Sequence, residues 1–174
     1  MSRRISAGLF LSLAFAGLAV TCLGADSFSG TVAGISDGDT IRVMRDGKAE
    51  RVRLWGIDCP EGHQAFGARA KQFTSDLAFG KEVTVQIKDV DRYKRLVGEV
   101  ILPDGRNLNR ELVAAGLAWW YRQYARSDRE LERLEGAARA AKRGLWTEQN
   151  AVAPWEFRKM PRERPAETTA KHAR

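Results

Sequence analysis

The 174-residue chain has almost no histidine or cysteine, and both shortages narrow its chemistry. His63 and His172 lie 109 residues apart, which argues against a paired-histidine hydrolase, and there is no H-E-x-x-H zinc helix. Cys22 and Cys59 cannot make a zinc site without other ligands. No G-x-x-x-x-G-K-[ST] or G-x-G-x-x-G occurs, which removes two common phosphate-binding loops. The body also lacks charge of one sign. The whole chain has a net charge of +7, yet residues 26–157 carry 21 basic and 20 acidic side chains. Residues 158–174 carry six basic and two acidic ones. A body whose whole surface is a cationic glove for nucleic acid is therefore disfavoured. Carboxylates and arginines remain as the groups available for catalysis.

The first 25 residues have the pattern of an export leader. Arg3 and Arg4 precede residues 5–25, which hold no charge, and the next basic residue is Arg42. The apolar stretch is diluted by glycine and hydroxyl residues and ends in small ones, so cleavage is expected near Ala25. That would make the protein secreted or periplasmic. The alternatives are an uncleaved membrane anchor, since 21 residues suffice to span a bilayer, and a lipid on Cys22, for which Thr21 is an awkward neighbour. Cleavage would leave Cys59 alone and exclude an intrachain disulfide. Residues 26–157 are expected to form one domain, and 158–174 a basic disordered tail of low apolar content.

Alternating apolar residues mark strands near 28–36, 39–45, 48–57, 81–90 and 95–102. Asp46-Gly47 and Asp104-Gly105 are turn signals at their ends. Helical spacing links Phe66, Ala70, Phe73 and Leu77, with Gly80 as the stop. A short helix runs from Leu108 to Ala115 before Gly116. The segment Ser127–Glu130 reads as a capping box for a third helix with Leu131, Leu134, Ala138, Ala141 and Leu145 on its inner face. Five short strands interrupted by a helix suggest a small closed barrel with helices packed against it.

Three charged segments sit at strand ends: Asp37-Gly38-Asp39-Thr40, Arg53–Glu61 and Asp91–Arg95. Each alone reads as a solvated turn. Taken together they offer more. Asp39 and Asp58 are hard oxygen ligands of the kind calcium or magnesium takes, and Glu61 could hold a water. Arg53 and Arg95 are suited to bidentate phosphate contacts. A metal, a carboxylate base and two guanidinium groups are the parts needed to cleave a phosphodiester.

The motifs DGDT (37–40), RLWGIDCPE (53–61), DRYKR (91–95), LNRELVAAGLAW (108–119) and EGAARAAKRGLW (135–146) resemble the thermonucleases, the staphylococcal nuclease-like proteins. The resemblance covers roughly 28–157. It implies an α+β fold, a five-stranded OB-fold β-barrel with three helices. It further implies calcium-dependent (Ca2+) hydrolysis of DNA and RNA leaving 3′-phosphate ends. Family metal ligands map onto Asp39, Asp58 and the carbonyl of Cys59, catalytic groups onto Arg53, Glu61 and Arg95, and substrate-side aromatics onto Tyr93 and Tyr124. Nucleic acid is the partner; no protein partner is implied, and the expected state is a monomer.

Three positions depart from the pattern. Lys94 stands where the family usually has glycine, Arg122 replaces an aromatic near the base pocket, and the loop after Glu61 is short. The rival reading is a non-catalytic OB-fold module that binds nucleic acid. The clustered carboxylates argue against it, because a pure binder has no use for groups that repel phosphate.

Overall fold

The protein is described by a computed structural model covering residues 26–161. The leader and most of the basic tail lie outside the described residues. Strands β1 (Ser27–Asp37), β2 (Thr40–Arg45) and β3 (Lys48–Leu54) form an antiparallel meander. Asp46 and Gly47, at φ 50° and 78°, make the tight turn between β2 and β3. The chain then forms β4 (Ile57–Asp58) and α1 (Gly67–Ala78), followed by β5 (Glu82–Val90) and β6 (Leu96–Ile101). Five of these strands close into a barrel in the order β1-β2-β3-β6-β5, with β1 also pairing antiparallel with β5. The β3–β6 pair is parallel and sets Val52 beside Leu96. This is the expected OB-type barrel.

Alternation along the strands fills the interior. Val32, Ile41, Val43, Val52, Leu54, Val83, Val85 and Val100 are all buried. Burial of each such side chain stabilises the fold by roughly 1.5–3 kcal/mol before chain entropy is counted. The three expected helices are α1, α2 (Leu108–Ala114) and α4 (Arg129–Ala140). Between them lie β7 (Trp119–Trp120) and the single-turn α3 (Arg122–Ala125). A 3₁₀ turn (Gly144–Thr147) and the single-turn α5 (Pro154–Phe157) follow.

Local chemistry moves three boundaries. The run 48–57 is two strands, because Trp55 and Gly56 turn the chain. Gly56 has φ 74°, and a Cβ there would meet Leu131 Cδ1 at 2.9 Å. Ile57 and Asp58 therefore leave the barrel and pair with Trp120 and Trp119. The cap of α4 is Asp128, one residue later than the capping box places it: its Oδ1 accepts from the Glu130 and Leu131 amides at 3.0 and 2.9 Å. Finally, α4 stops at Ala140 and Lys142 turns to φ 48°. Ala141 is exposed as a result, and the buried Glu135 joins Leu131 and Ala138 on the inner face.

Candidate active site

The site begins at the bend between β1 and β2. Gly38 is gripped from both sides, since a Cβ there would lie 2.8 Å from Ala70 Cβ and 2.9 Å from Cys59 Cβ. Thr74 Oγ1 on α1 donates to the Gly38 carbonyl at 2.6 Å. These contacts fix Asp39, whose residue exposure is 2%. Asp58, at the end of β4, is fully buried at 0%.

Arg53 joins the two carboxylates. On β3 it stands opposite Thr40, and this register brings its guanidinium beside Asp39. Its Nη1 donates to Asp39 Oδ1, and its Nη2 donates to Asp58 Oδ1 at 2.6 Å and to the Ile57 carbonyl at 3.4 Å. The Cys59 amide donates to Asp39 Oδ2 at 2.7 Å, and Thr40 Oγ1 to Asp39 Oδ1 at 3.2 Å. Two buried carboxylates thus share one partly buried guanidinium.

The electrostatics follow from that crowding. Burial pushes the Asp39 carboxyl above its ordinary value; Arg53 opposes the shift and the neighbouring Asp58 adds to it. Burial works against the Arg53 charge, but Asp39 and Asp58 together hold its guanidinium above the usual arginine value. Burial, first, and the charge of Asp39 raise the Cys59 thiol well above its usual range. Its side chain is buried and free, and it is the Cys59 amide that bonds to the cluster.

Glu61 stands on the rim and is brought to this cluster through Arg158. Arg158 Nη1 donates to Glu61 Oε1 at 2.6 Å, and Nη2 to Asp58 Oδ2 at 2.7 Å. Sequence reasoning gave Arg158 to the tail and missed it. The available signal was Trp155 and Phe157 just upstream, aromatic residues that a solvated tail does not need.

Arg95 stands apart from the carboxylate cluster. It immediately precedes β6, whose Leu96 pairs with Val52, so Arg95 ends the turn that leads into the strand beside that of Arg53. Its ion pair among the described residues is with Asp91, Nε to Oδ2 at 2.6 Å, rather than with Asp39, Asp58 or Glu61. Asp91 also accepts from the Tyr93 and Arg95 amides at 2.9 and 3.0 Å. Lys94 adopts φ 58°, so the turn keeps a left-handed residue despite the absence of glycine.

The expected aromatics are both exposed. Tyr93 lies under Arg92 and Arg95, at 4.8 and 5.5 Å from ring centroid to guanidinium carbon. Tyr124 meets Tyr121 edge-on at 4.9 Å, and Tyr121 stacks on Trp155 at 5.0 Å with the rings 4° from parallel. Arg122, at the departed aromatic position, lies over Trp120 at 4.4 Å and pairs with buried Glu135 at 2.8 Å. Tyr121 and Arg122 line a groove of about 330 Å³ together with Trp120, Gln123, Trp155 and Lys159.

A small OB-type barrel with a carboxylate–arginine cluster at its strand ends defines the class of nuclease barrels. Residues 51–148 match the model of the family described as staphylococcal nuclease homologue, and the chain belongs to that family. It is similar to a protein named Micrococcal nuclease from Shigella flexneri, with 44% identity over 76% of this chain and 81% of the relative. An endonuclease of Escherichia coli O157:H7, named as uncharacterized, is 46% identical over 74% of this chain and 84% of its own. Protein ParB of Escherichia coli is 42% identical over 91% and 95%.

Proposed function

We propose that this protein is a calcium-dependent phosphodiesterase that hydrolyses DNA and RNA and leaves 3′-phosphate ends. The observation that carries the reading is the pair of buried carboxylates, Asp39 and Asp58, clasped by Arg53 with Glu61 at the rim. The donor set fits a hard cation: two carboxylates and the Cys59 carbonyl offer oxygen. Among the described residues no three acidic, histidine or cysteine side chains are placed to hold a metal ion by themselves. The remaining ligands would come from water and from a phosphate oxygen, which calcium accepts readily. When bound, calcium offsets the negative charge that develops on a phosphate oxygen during hydrolysis.

The chain's own residues do the rest. Glu61 sits at the rim, where water reaches it, and takes a proton from the attacking water on a carboxylate oxygen. Arg53 is held rigid by Asp39 and Asp58, so it presents its charge to the phosphate without reorganising. Arg95, steadied by Asp91, supplies a second guanidinium from the turn before β6. Tyr93 and Tyr124 offer exposed rings on which bases can stack.

Residues 1–25 serve in this reading as an export signal, which makes the enzyme secreted or periplasmic. Mass determination of the protein from a secreting host tests that part. The activity is tested by digesting single- and double-stranded DNA and RNA with added calcium or with chelator, followed by end-group analysis of the products. Calcium-dependent cleavage with 3′-phosphate ends is expected. Equal cleavage in chelator would remove the metal from the scheme, and cleavage of no substrate would favour the binding module.

A further inference from the structure

The C-terminal turn carries into the site a cation that the hydrolysis above does not use. Arg158 follows α5, and its two Nη atoms reach Glu61 Oε1 at 2.6 Å and Asp58 Oδ2 at 2.7 Å. A longer contact, 3.4 Å, runs from Nη1 to Asp58 Oδ1, the oxygen that also accepts from Arg53. Both oxygens of Asp58 are therefore covered by guanidinium groups. The lone pairs that face Arg158 are those a divalent cation would need, and a guanidinium can only donate.

The turn is strapped to the rim of the site. Trp155 stacks on Tyr121, and Phe157 lies against His63 at 5.1 Å between ring centroids. Gln64 Nε2, in the loop after Glu61, donates to the Val152 carbonyl at 2.7 Å. These ties raise the local concentration of the Arg158 charge at the carboxylates far above that of a free ion. Yet the Arg158 side chain is 43% exposed and that of Glu61 31%, so water screens the pair and a divalent ion can displace it.

We propose that Arg158 is a built-in competitor for the divalent cation, so that the C-terminal turn is a latch that loading of the metal must lift. The proposal rests on the calcium reading. With Arg158 seated, Asp39, Asp58, Glu61 and Arg53 are brought to one net negative charge; with Arg158 withdrawn, they hold two. The metal site therefore attracts a cation more strongly once the latch has left. Arg158 sets the calcium concentration at which the enzyme switches on.

The test is a calorimetric titration of calcium chloride into the full chain and its Arg158→Gln and Arg158→Lys variants, without nucleic acid. Arg158→Gln is expected to bind calcium roughly fivefold or more tightly, the effect of one partly screened charge. Arg158→Lys keeps the charge and should stay near wild type. Unchanged or weaker binding by Arg158→Gln, with calcium still bound by the wild type, overturns the latch and leaves the calcium reading intact. Binding by Arg158→Gln alone supports the latch, and binding by none of the three proteins overturns both readings. Hydrogen exchange gives a second readout at the amides of Phe157, Arg158 and Lys159, which bond to the carbonyls of Ala153, Pro154 and Glu156. Their exchange should quicken when calcium is added to the wild type; unchanged protection at saturating calcium would show that the turn stays down.

Discussion

The amide of Cys59 donates to Asp39 Oδ2 at 2.7 Å, bonding a residue of the second charged segment to the carboxylate of the first. The bond makes Asp39 part of the fold as well as part of the site. Asp39→Ala should therefore cost roughly 1–3 kcal/mol of stability, because it leaves a buried amide and half of Arg53's fork without acceptors. It should also shift calcium binding to higher concentration. Denaturant melts and calcium titration on the same protein check both, and an unchanged calcium titration would place the metal elsewhere.

Glu61 is freer. Glu61→Gln should lower kcat by about 10²–10⁴-fold, the range of general-base catalysis, with a far smaller effect on calcium affinity than Asp58→Ala. A steady-state comparison at saturating calcium decides it. Turnover within threefold of wild type would remove Glu61 as the base.

Arg53→Lys should be severe, with kcat reduced by roughly 10²-fold or more. Lysine is one point charge and cannot bridge Asp39 Oδ1, Asp58 Oδ1 and the Ile57 carbonyl together. Near-normal turnover would make Arg53 a structural clasp only.

The thiol of Cys59 should be a bystander. Cys59→Ser should keep kcat within about twofold, because the amide and carbonyl are unchanged. Burial also keeps the thiol protonated, so the native protein should resist thiol reagents that label it fully in denaturant. Rapid labelling of the native state would contradict its burial.

The acid limb of stability should carry a signature of Asp91. Its partial burial favours the neutral acid, but the Arg95 amide, the Arg95 guanidinium and the Tyr93 amide outweigh that and hold the carboxyl below its ordinary value of 3.8. A lowered folded value means that the stabilisation is present above 3.8 and is lost as pH falls through the folded value. Asp91→Asn should thus be less stable than wild type at pH 6–7, and the gap should close below pH 4. Chemical denaturation across pH 3–7 would show it, and a gap independent of pH would dissociate Asp91 from the effect.

The barrel was legible because its signals are local. Alternation between faces places Val43, Val52 and Val85 inside whatever the neighbours do, and Asp46-Gly47 demands its turn. The cluster of Asp39, Asp58 and Arg53 was legible because each residue sits in a short motif at a strand end. The break at Gly56 was not, since Trp55 continues the apolar pattern and the need to turn comes from Leu131 and Ala125 packed against it. The cap of α4 was missed by one residue because serine and aspartate at 127 and 128 are equally good acceptors. Arg158 was hidden for a different reason. Its partners are 97 and 100 residues away, and the one local sign that the chain folds back is the aromatic pair Trp155 and Phe157 just upstream.

β1 bonds to β2, only a turn away, and also to β5, whose residues 82–86 meet Ser27–Thr31. During synthesis the first strand emerges with its second neighbour still unmade, and one edge of the meander waits open while the chain through α1 is added. Thr74, which grips Gly38, arrives in that same interval. The bend at Asp39 is therefore held only once α1 has packed beside it, so the site takes its shape from a helix that lies outside every strand of the barrel.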